Sequence, residues 1–494
     1  MPPQMEMHRL LKRTKIVATV GPASDNEETL RRMILAGLDV VRINFSHSDQ
    51  DHASTLIELI RRIGDEMRYP LAILGDLRGP RIRVGKIKDD SVELKAGQQL
   101  VLTPEAVVGN SKRVPVSYPD LAGDVEVGST LLLDDGNIEL QVETISPNGD
   151  IVCSVAQGNT LSSQRGINLP GRHVSLPSIT RKDYADIDFA IEHEFDFLAL
   201  SFVQSAADVR QLNAYLAEKG VDIPVIAKIE KQGALDDIEA ITHEAYGVMV
   251  ARGDMALEMS IQDVPIAQKR IIAACREAAI PVITATQMLE SMMELPKPTR
   301  AEATDVANAI LDGTDALMLS GETAIGNYPV KTVAMMTSIA ARIEKAWITG
   351  QLPGPAPLKP PTEPEPTVAY AGHLSAKSLA AKAIVTYTAS GATARRVVCH
   401  RPLVTVLALT ASSRTQRRLN LSWGVECALT EYITETDRLI AVARQQTQDC
   451  GVASPGDTII MLASTPPYGE PGRTNTLKIE RIPEASPTEE AQGD

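Results

Sequence analysis

The chemistry available to this chain is concentrated in a few short polar strings. In Val41-Arg42-Ile43-Asn44 the two-residue period of an extended segment puts Arg42 and Asn44 on one face, with Phe45, Ser46 and His47 following. Lys228-Ile229-Glu230 sets a cation and a carboxylate on one face in the same way. Arg252-Gly253-Asp254 supplies a second carboxylate ahead of a helical turn over Met255–Met259. The glycine there admits close approach of a ligand to the backbone, and free amides at a helix start attract anions. Thr286-Gln287 and Ser320-Gly321-Glu322-Thr323 add hydroxyls and a further carboxylate. Two carboxylates with few other protein ligands are what a water-rich Mg²⁺ site shared with a substrate phosphate requires. The set therefore points to a metal-assisted reaction on a small phosphorylated carboxylic acid. Each residue alone also has a structural explanation: a capping salt bridge for Arg42, an ion pair between adjacent strands for Lys228 or Glu230, an N-cap for Asp254, and helix capping for the hydroxyls. No catalytic triad, Walker loop or dinucleotide fingerprint competes with the set.

These strings sit at the ends of apolar runs. Lys15–Val20, Val40–Phe45, Leu71–Leu77, Phe197–Val203, Pro224–Glu230, Gly247–Gly253, Pro281–Thr286 and Ala316–Ser320 read as strands. Helical patterns at Glu27–Ala36, Ala53–Glu66, Ala206–Lys219, Val264–Ala278, Ala301–Leu311 and Val330–Trp347 alternate with them, which predicts a (β/α)₈ TIM barrel. Such a barrel carries its reactive groups at the C-terminal ends of its strands, where the polar strings fall. Most strand ends follow one another at about 23 to 34 residues, but Leu77 to Val203 spans about 126, room for a domain inserted after the third strand. Strand patterns at Ser91–Leu94, Gln99–Leu102, Thr130–Leu133, Ile138–Val142 and Ile151–Val155 fill it. Turn signals at Asp134-Asp135-Gly136-Asn137 and Pro147-Asn148-Gly149 separate them, predicting a small β-barrel lid.

The expected organisation is a discontinuous catalytic barrel over 1–83 and 175–348, the inserted domain over 84–174, and a stiff proline-rich linker over 349–366. A C-terminal open α/β domain follows over 367–482, then a disordered acidic tail over 483–494. Within the C-terminal domain, helices are expected at Ala376–Lys382, after Ser390 and at Arg414–Asn420, and strands at Ala383–Thr388, Val404–Leu409 and Thr458–Leu462.

Composition bounds the function classes. The 494 residues are long enough for about three domains, and 44% hydrophobic with 23% charged is an ordinary globular balance. Aromatics are only 3%, so the core must be aliphatic and methionine-rich, which suits buried parallel strands. A net charge of −14 argues against bulk attraction to nucleic acid or an anionic membrane, so an anionic substrate must be held by local cations. Five scattered cysteines without CxxC spacing argue against a disulfide framework and a zinc site. With no signal-type or membrane-spanning apolar segment, the reading is cytoplasmic.

The strings together resemble the pyruvate kinase family. Lys15-Ile-Val-Ala-Thr-Val-Gly-Pro-Ala-Ser24, Val41–His47, Val225–Glu230, Met249–Asp254, Thr286–Met292, Pro298–Glu302, Asp305–Asn308 and Met318–Ala324 match in order, as does Gly166–Gly171 at the end of the insertion. The resemblance covers about 12 to 345 closely and the C-terminal domain more loosely. It implies phosphoryl transfer from phosphoenolpyruvate to ADP, giving pyruvate and ATP. By position it implies Mg²⁺ (or Mn²⁺) on Glu230 and Asp254, and Lys228 stabilising the phosphoryl group in transfer. Arg42 would hold the phosphate, the Arg252–Asp254 backbone the substrate carboxylate, and Ser201 would line the substrate site. Thr286 with Ser320 and Glu322 would relay the proton to the enolate carbon. Thr19, Pro22, Asn44, His47, Arg83 and Arg165 would surround the nucleotide. The family is usually a homotetramer. A pyruvate-enolate lyase and a catalytically silent sensor are the rival readings on the same barrel; the inserted lid and the Lys228/Glu230 pair favour the kinase.

Two departures from the family pattern are informative. The K⁺ ligands of many members correspond to Asn44, Ser46, Asp76 and the Leu77 carbonyl, but Leu77 replaces Thr and Arg81 stands where K⁺-dependent members carry Glu. A fixed guanidinium there supplies the positive charge without a dissociable ion, so K⁺ independence is expected. The effector loop corresponds to Thr388-Ala-Ser-Gly-Ala-Thr393, which keeps Thr388, Ser390, Gly391 and Thr393 but lacks Lys and Arg. It predicts an effector of the sugar-monophosphate or AMP class, or none, in place of fructose 1,6-bisphosphate.

Overall fold

A computed structural model describes residues 12–46, 50–172, 174–464 and 474–484. Eight parallel strands close into a barrel: β1 (Lys15–Thr19), β2 (Val40–Asn44), β3 (Ala72–Asp76), β4 (Phe197–Leu200), β5 (Val225–Ile229), β6 (Gly247–Ala251), β7 (Val282–Ala285) and β8 (Ala316–Leu319). Each pairs with its neighbours in chain order, and β8 pairs with β1 through Lys15↔Ala316 to Ala18↔Leu319. Despite the long insertion β3 still pairs with β4, Phe197 facing Leu74 and Ala199 facing Asp76. All eight runs read from the sequence are barrel strands.

The strands are buried on both faces, which is why they read as continuous apolar runs. Inside the barrel, small residues (Ala72, Ala199, Ala285, Ala316) interleave with large ones (Leu74, Phe197, Met249, Met318) to fill the interior. The outer face packs on helices whose ends follow from local chemistry. The Glu27–Ala36 helix starts where the Asn26 side chain accepts from the Thr29 amide and stops at Gly37, whose φ of 114° ends a helix at no steric cost. Thr299 and Glu302 form a reciprocal capping box on the Arg300–Asp312 helix.

The insertion has its own apolar core. Its strands form a six-stranded sheet ordered Ile167–Asn168, Thr130–Leu133, Ile138–Ile145, Ile151–Gln157, Gln99–Thr103, Arg113–Pro115, with Thr160–Ser162 and Ser91–Glu93 as a separate pair. The sheet forms half a barrel. Asp134, Asp135 and Gly136 all take positive φ in the predicted turn, where Asp and Gly are tolerated.

The C-terminal region is a five-stranded sheet ordered Val425–Leu429, Thr405–Thr410, Ala383–Tyr387, Thr458–Ala463, Thr476–Arg481, parallel except for the last edge. The helix expected at Ala376–Lys382 instead runs Pro364–Ser378, beginning within the proline-rich stretch. Proline is accepted in a first helical turn because its missing N–H has no intrahelical partner there. The Val425–Leu429 and Thr476–Arg481 edge strands and the Thr436–Asp449 helix are additional to the sequence reading. The expected tail falls mostly outside the described residues.

This region seals the floor of the barrel. Leu421 is fully buried and joins the interior cluster below the strands. Around it, Arg417 reaches Asp196 at 2.7 Å, Arg401 reaches Asp315 at 3.2 Å, and Trp423 Nε1 donates to Glu344 at 2.9 Å. No helix among the described residues is long and apolar enough to cross a membrane.

Candidate active site

At the opposite end of the barrel, each polar string arrives where its strand stops. Arg42, on β2, is fixed by two partners. Its Nε and Nη2 meet Asp76 Oδ2 at 2.8 and 2.7 Å, and its Nη1 donates to Thr19 Oγ1 at 2.8 Å. Lys228, on β5, lies 2.6 Å from Ser201 Oγ, 2.9 Å from Glu230 Oε1 and 3.3 Å from Asp76 Oδ1. Asp76 thus lies between two cations. Burial alone would raise its carboxyl, but Lys228 and Arg42 outweigh that and hold it below the ordinary carboxylate value. Burial would likewise lower the Lys228 ammonium, yet Asp76 and Glu230 keep it above the ordinary lysine value, so it stays charged.

Glu230 is fully buried, and its two oxygens differ. Oε2 accepts the Phe202 amide at 2.7 Å, an amide aimed by the positive φ of 56° at Phe202. Oε1 is ion-paired with Lys228 at 2.9 Å and has no other protein partner among the described residues. Burial, reinforced by Asp254, pushes the Glu230 carboxyl up, with Lys228 opposing. Asp254, the other candidate ligand, meets Arg81 Nη2 at 3.2 Å. A buried carboxylate oxygen held only by one lysine, near a second carboxylate, fits a divalent cation. Among the described residues no cluster of three or more His, Cys, Asp or Glu cages a metal, so an ion here would draw its remaining ligands from water or substrate, as Mg²⁺ does.

Gly253 donates its amide to Thr286 Oγ1 at 2.8 Å, and that hydroxyl donates to the Ala285 carbonyl at 2.6 Å. Thr286 and Gln287 take φ of 67° and 54°, a strained conformation for a β-branched residue. The Arg252 guanidinium holds that turn, contacting both oxygens of Asp305 at 2.8 and 2.7 Å and the Thr286 carbonyl at 2.6 Å. Its side chain is therefore committed to the scaffold. Glu322 accepts the Ser320 amide at 2.7 Å and the Leu289 amide at 3.2 Å, tying the loops after β7 and β8 together. Among the described residues no hydrogen bond joins the Ser320 or Glu322 side chain to Thr286.

The K⁺-equivalent positions are occupied by protein contacts. Asn44 Oδ1 accepts the Ser46 amide at 3.1 Å, and the Leu77 carbonyl accepts the Ser201 hydroxyl at 2.7 Å. Arg81 projects across to Asp254, its guanidinium 5.8 Å from the centre of the Phe202 ring. Among the nucleotide candidates, Thr19 lies beneath Arg42 and Pro22 is exposed on the turn after β1. Arg83 and Arg165 are neighbours in the insertion, where Val84 donates its amide to the Arg165 carbonyl at 2.9 Å. Burial and the adjacent Arg78 and Arg81 lower the Arg83 guanidinium, an excess of positive charge suited to an anion. Arg165 pairs with Asp134 at 3.1 Å. His47 lies outside the described residues.

A solvent-open cleft of about 590 Å³ separates the mouth from the insertion, lined by Arg81, Phe202, Lys231, Asp254 and Glu258 on one side and Asp135, Asn168 and Leu169 on the other. Asn168 Nδ2 donates to the buried Glu258 Oε1 at 3.1 Å, a direct link between the two walls. Sequence reasoning missed Phe202, Lys231, Glu258 and Asp305. Glu258 carried one usable signal, a carboxylate four residues beyond Asp254 on the same helical turn. In the C-terminal loop, Thr388 Oγ1 accepts the Gly391 amide at 2.9 Å, Thr393 shares a 2.6 Å hydrogen bond with Thr474, and the Ser390 carbonyl accepts from Arg395 at 3.2 Å.

Comparison with known proteins gives the family. Family profiles described as the pyruvate kinase barrel domain and alpha/beta domain match residues 11–333 and 366–480. Pyruvate kinase 2 of Synechocystis is 44% identical over 481 residues, covering 97% of this chain and 80% of the relative. The pyruvate kinase of Geobacillus stearothermophilus is 41% identical over 473 residues, covering 95% and 80%. A crystal structure of a pyruvate kinase from Cryptosporidium parvum superposes with a TM-score of 0.89 at 36% identity over 97% of both chains. The chain belongs to the pyruvate kinase family and is a phosphotransferase.

Proposed function

We propose that this enzyme transfers the phosphoryl group of phosphoenolpyruvate to ADP with Mg²⁺ held by Glu230 and Asp254. The observation that carries the reading is the buried Glu230 Oε1, which only the Lys228 ammonium holds, with Asp254 as a second carboxylate close enough to repel it. The metal, when bound, neutralises phosphate charge and orients the transferring group.

The remaining work falls to fixed side chains. Arg42, anchored by Asp76 and Thr19, presents its guanidinium to the substrate phosphate without having to be ordered on binding. Lys228, steered by Ser201, sits where negative charge develops during transfer. The turn held by Arg252 and Asp305 fixes the Thr286 hydroxyl, which delivers a proton to the enolate carbon through water with Ser320 and Glu322. Arg83 and Arg165 carry the nucleotide phosphates in from the insertion. Closure over the cleft excludes water that would otherwise hydrolyse the donor.

Arg81 replaces K⁺ in this reading, its charge held at the mouth by Asp254. The Thr388–Thr393 loop accepts a monophosphate effector or none. The enzyme works in the cytoplasm as a homotetramer. A coupled assay of ATP from phosphoenolpyruvate and ADP in potassium-free buffer tests both claims. Formation that requires Mg²⁺ and changes little on adding K⁺ is expected. No ATP would defeat the kinase, and a many-fold increase with K⁺ would defeat the role of Arg81 alone.

A further inference from the structure

The seam between barrel floor and C-terminal region holds a small cavity with an uneven charge balance. Arg276, from the barrel helix Val264–Glu277, and Arg395 and Arg401, from the C-terminal region, line it with Asp315, Cys399 and Ser422. Three guanidiniums face one carboxylate. Asp315 is already divided among the amides of Val282 and Trp423, each at 3.1 Å, and Arg401 at 3.2 Å. Burial pushes the Cys399 thiol up to about 12, so it adds no negative charge. Glu277, also near Arg276, is exposed to solvent.

Carbonyls, which carry no net charge, take up much of the cations' hydrogen bonding. Arg276 reaches the Ala356 carbonyl at 2.9 Å and the Cys399 carbonyl through Nε and Nη2 at 3.4 and 3.3 Å, and Arg401 reaches Val398 at 2.9 Å as well as the Gly313 carbonyl. Arg395 donates to Tyr246 Oη at 2.9 Å. Two buried polar atoms remain without a partner: Nε of Arg401, a residue 4% exposed, and Oγ of Ser422, which is 0% exposed. Leaving such donors unpaired away from water is costly. Burial, then repulsion from Arg401, lowers the Arg276 guanidinium to about 10, the response expected of cations crowded together with too few counter-charges.

We propose that this cavity binds one small inorganic anion of halide size between Arg276, Arg395 and Arg401, with the Ser422 hydroxyl as a further donor. The size follows from the space, which is small and has room for one compact guest. A neutral water would satisfy the orphaned donors but leave the net positive charge untouched; a monatomic anion satisfies them and offsets part of that charge. The ion ties together the barrel floor, the linker through Ala356, and the Ser390 loop through Arg395. It acts as a structural counter-ion of the domain seam, independent of the reaction at the mouth.

Crystals of the full chain grown in sodium bromide test this directly: an anomalous peak among the three arginines is expected. A cavity without that peak overturns the site, and a tetrahedral ion at the same place in phosphate-grown crystals overturns the size assignment. In solution, melting in sodium chloride should exceed melting in sodium gluconate of equal ionic strength by about 2 °C, with saturation. Arg276→Gln should abolish that difference. Equal melting of the wild type in both salts also overturns the proposal, and the wild-type crystals decide it should the variant fail to fold.

Discussion

The two ends of the barrel use the same side chains to opposite effect. At the floor, Asp196 is fully buried and completely engaged: one oxygen takes Arg417 at 2.7 Å, and the other takes Arg61 at 3.0 Å and the Ile73 amide at 2.9 Å. At the mouth, Glu230 is equally buried but has one oxygen held only by Lys228. At Asp196 both carboxylate oxygens are filled by protein donors, so none is left for a ligand. The mouth crowds Asp76, Lys228 and Glu230 together and shifts all three from their ordinary ionisation. Backbone strain does not separate the two ends: Phe202, Thr286 and Gln287 take positive φ around the mouth, and Glu194, Ala279 and Arg401 do so at the floor. A buried ionic cluster is therefore structural or functional according to whether its lone pairs are filled, and burial alone does not distinguish the two.

Substitutions at either end should separate along this line. Lys228→Met removes the cation facing the transferring group, and kcat for ATP formation should fall about 10³-fold. Folding should survive, because Glu230, already pushed toward its neutral form, takes up a proton instead of standing as an unpaired buried charge. A thermal melt alongside the kinetics checks both halves; a variant that unfolds while the surviving fraction retains its turnover would reverse the assignment. Asp196→Ala at the floor should do the converse. It strands two arginines and the Ile73 amide, costing about 3–5 kcal/mol of stability by denaturant titration, while kcat of the folded enzyme stays unchanged. Loss of turnover without loss of stability would place Asp196 in the catalytic machinery.

The mouth was more legible in the sequence than the floor, for a physical reason. Its residues are carried on strands whose two-residue period is visible in the string, so the string itself puts Arg42 with Asn44, and Lys228 with Glu230, on one face. The eight strand runs were equally plain, since parallel strands buried on both faces are uninterrupted apolar segments. The floor depends on long-range partners: Arg417 and Asp196 lie 221 positions apart, and neither has a local pattern announcing the other. Phe202 was missed because its contribution is a backbone angle. Asp305 was missed because it supports the Thr286 turn through Arg252 and touches no expected ligand site. The Val425–Leu429 and Thr476–Arg481 strands escaped because edge strands are half-exposed and mix polar with apolar residues.

The smallest expected effect lies beside the seam, at His400. It packs tilted against Tyr370 and stacks with His373 at ring separations of 4.9 and 5.8 Å, and burial, then His373 and Arg276, lowers its imidazole from 6.5 to about 4. Lys377, near His373, adds another positive charge to the same cluster, and no carboxylate contributes to either histidine's shift. Between those two values the unfolded chain binds a proton that the folded chain does not. The stabilisation is thus fully present above pH 6.5 and is lost as pH falls toward 4. The slope from one such proton is at most about 1.4 kcal/mol per pH unit, and partial solvent access reduces it. His400→Gln should flatten the acid limb of a pH-dependent melting series while leaving the mouth's contribution, carried by the depressed carboxyl of Asp76, in place. An unchanged acid limb would mean that the seam does not hold His400 neutral, and that depressed carboxyls such as Asp76 and Asp39 set the enzyme's response to acid.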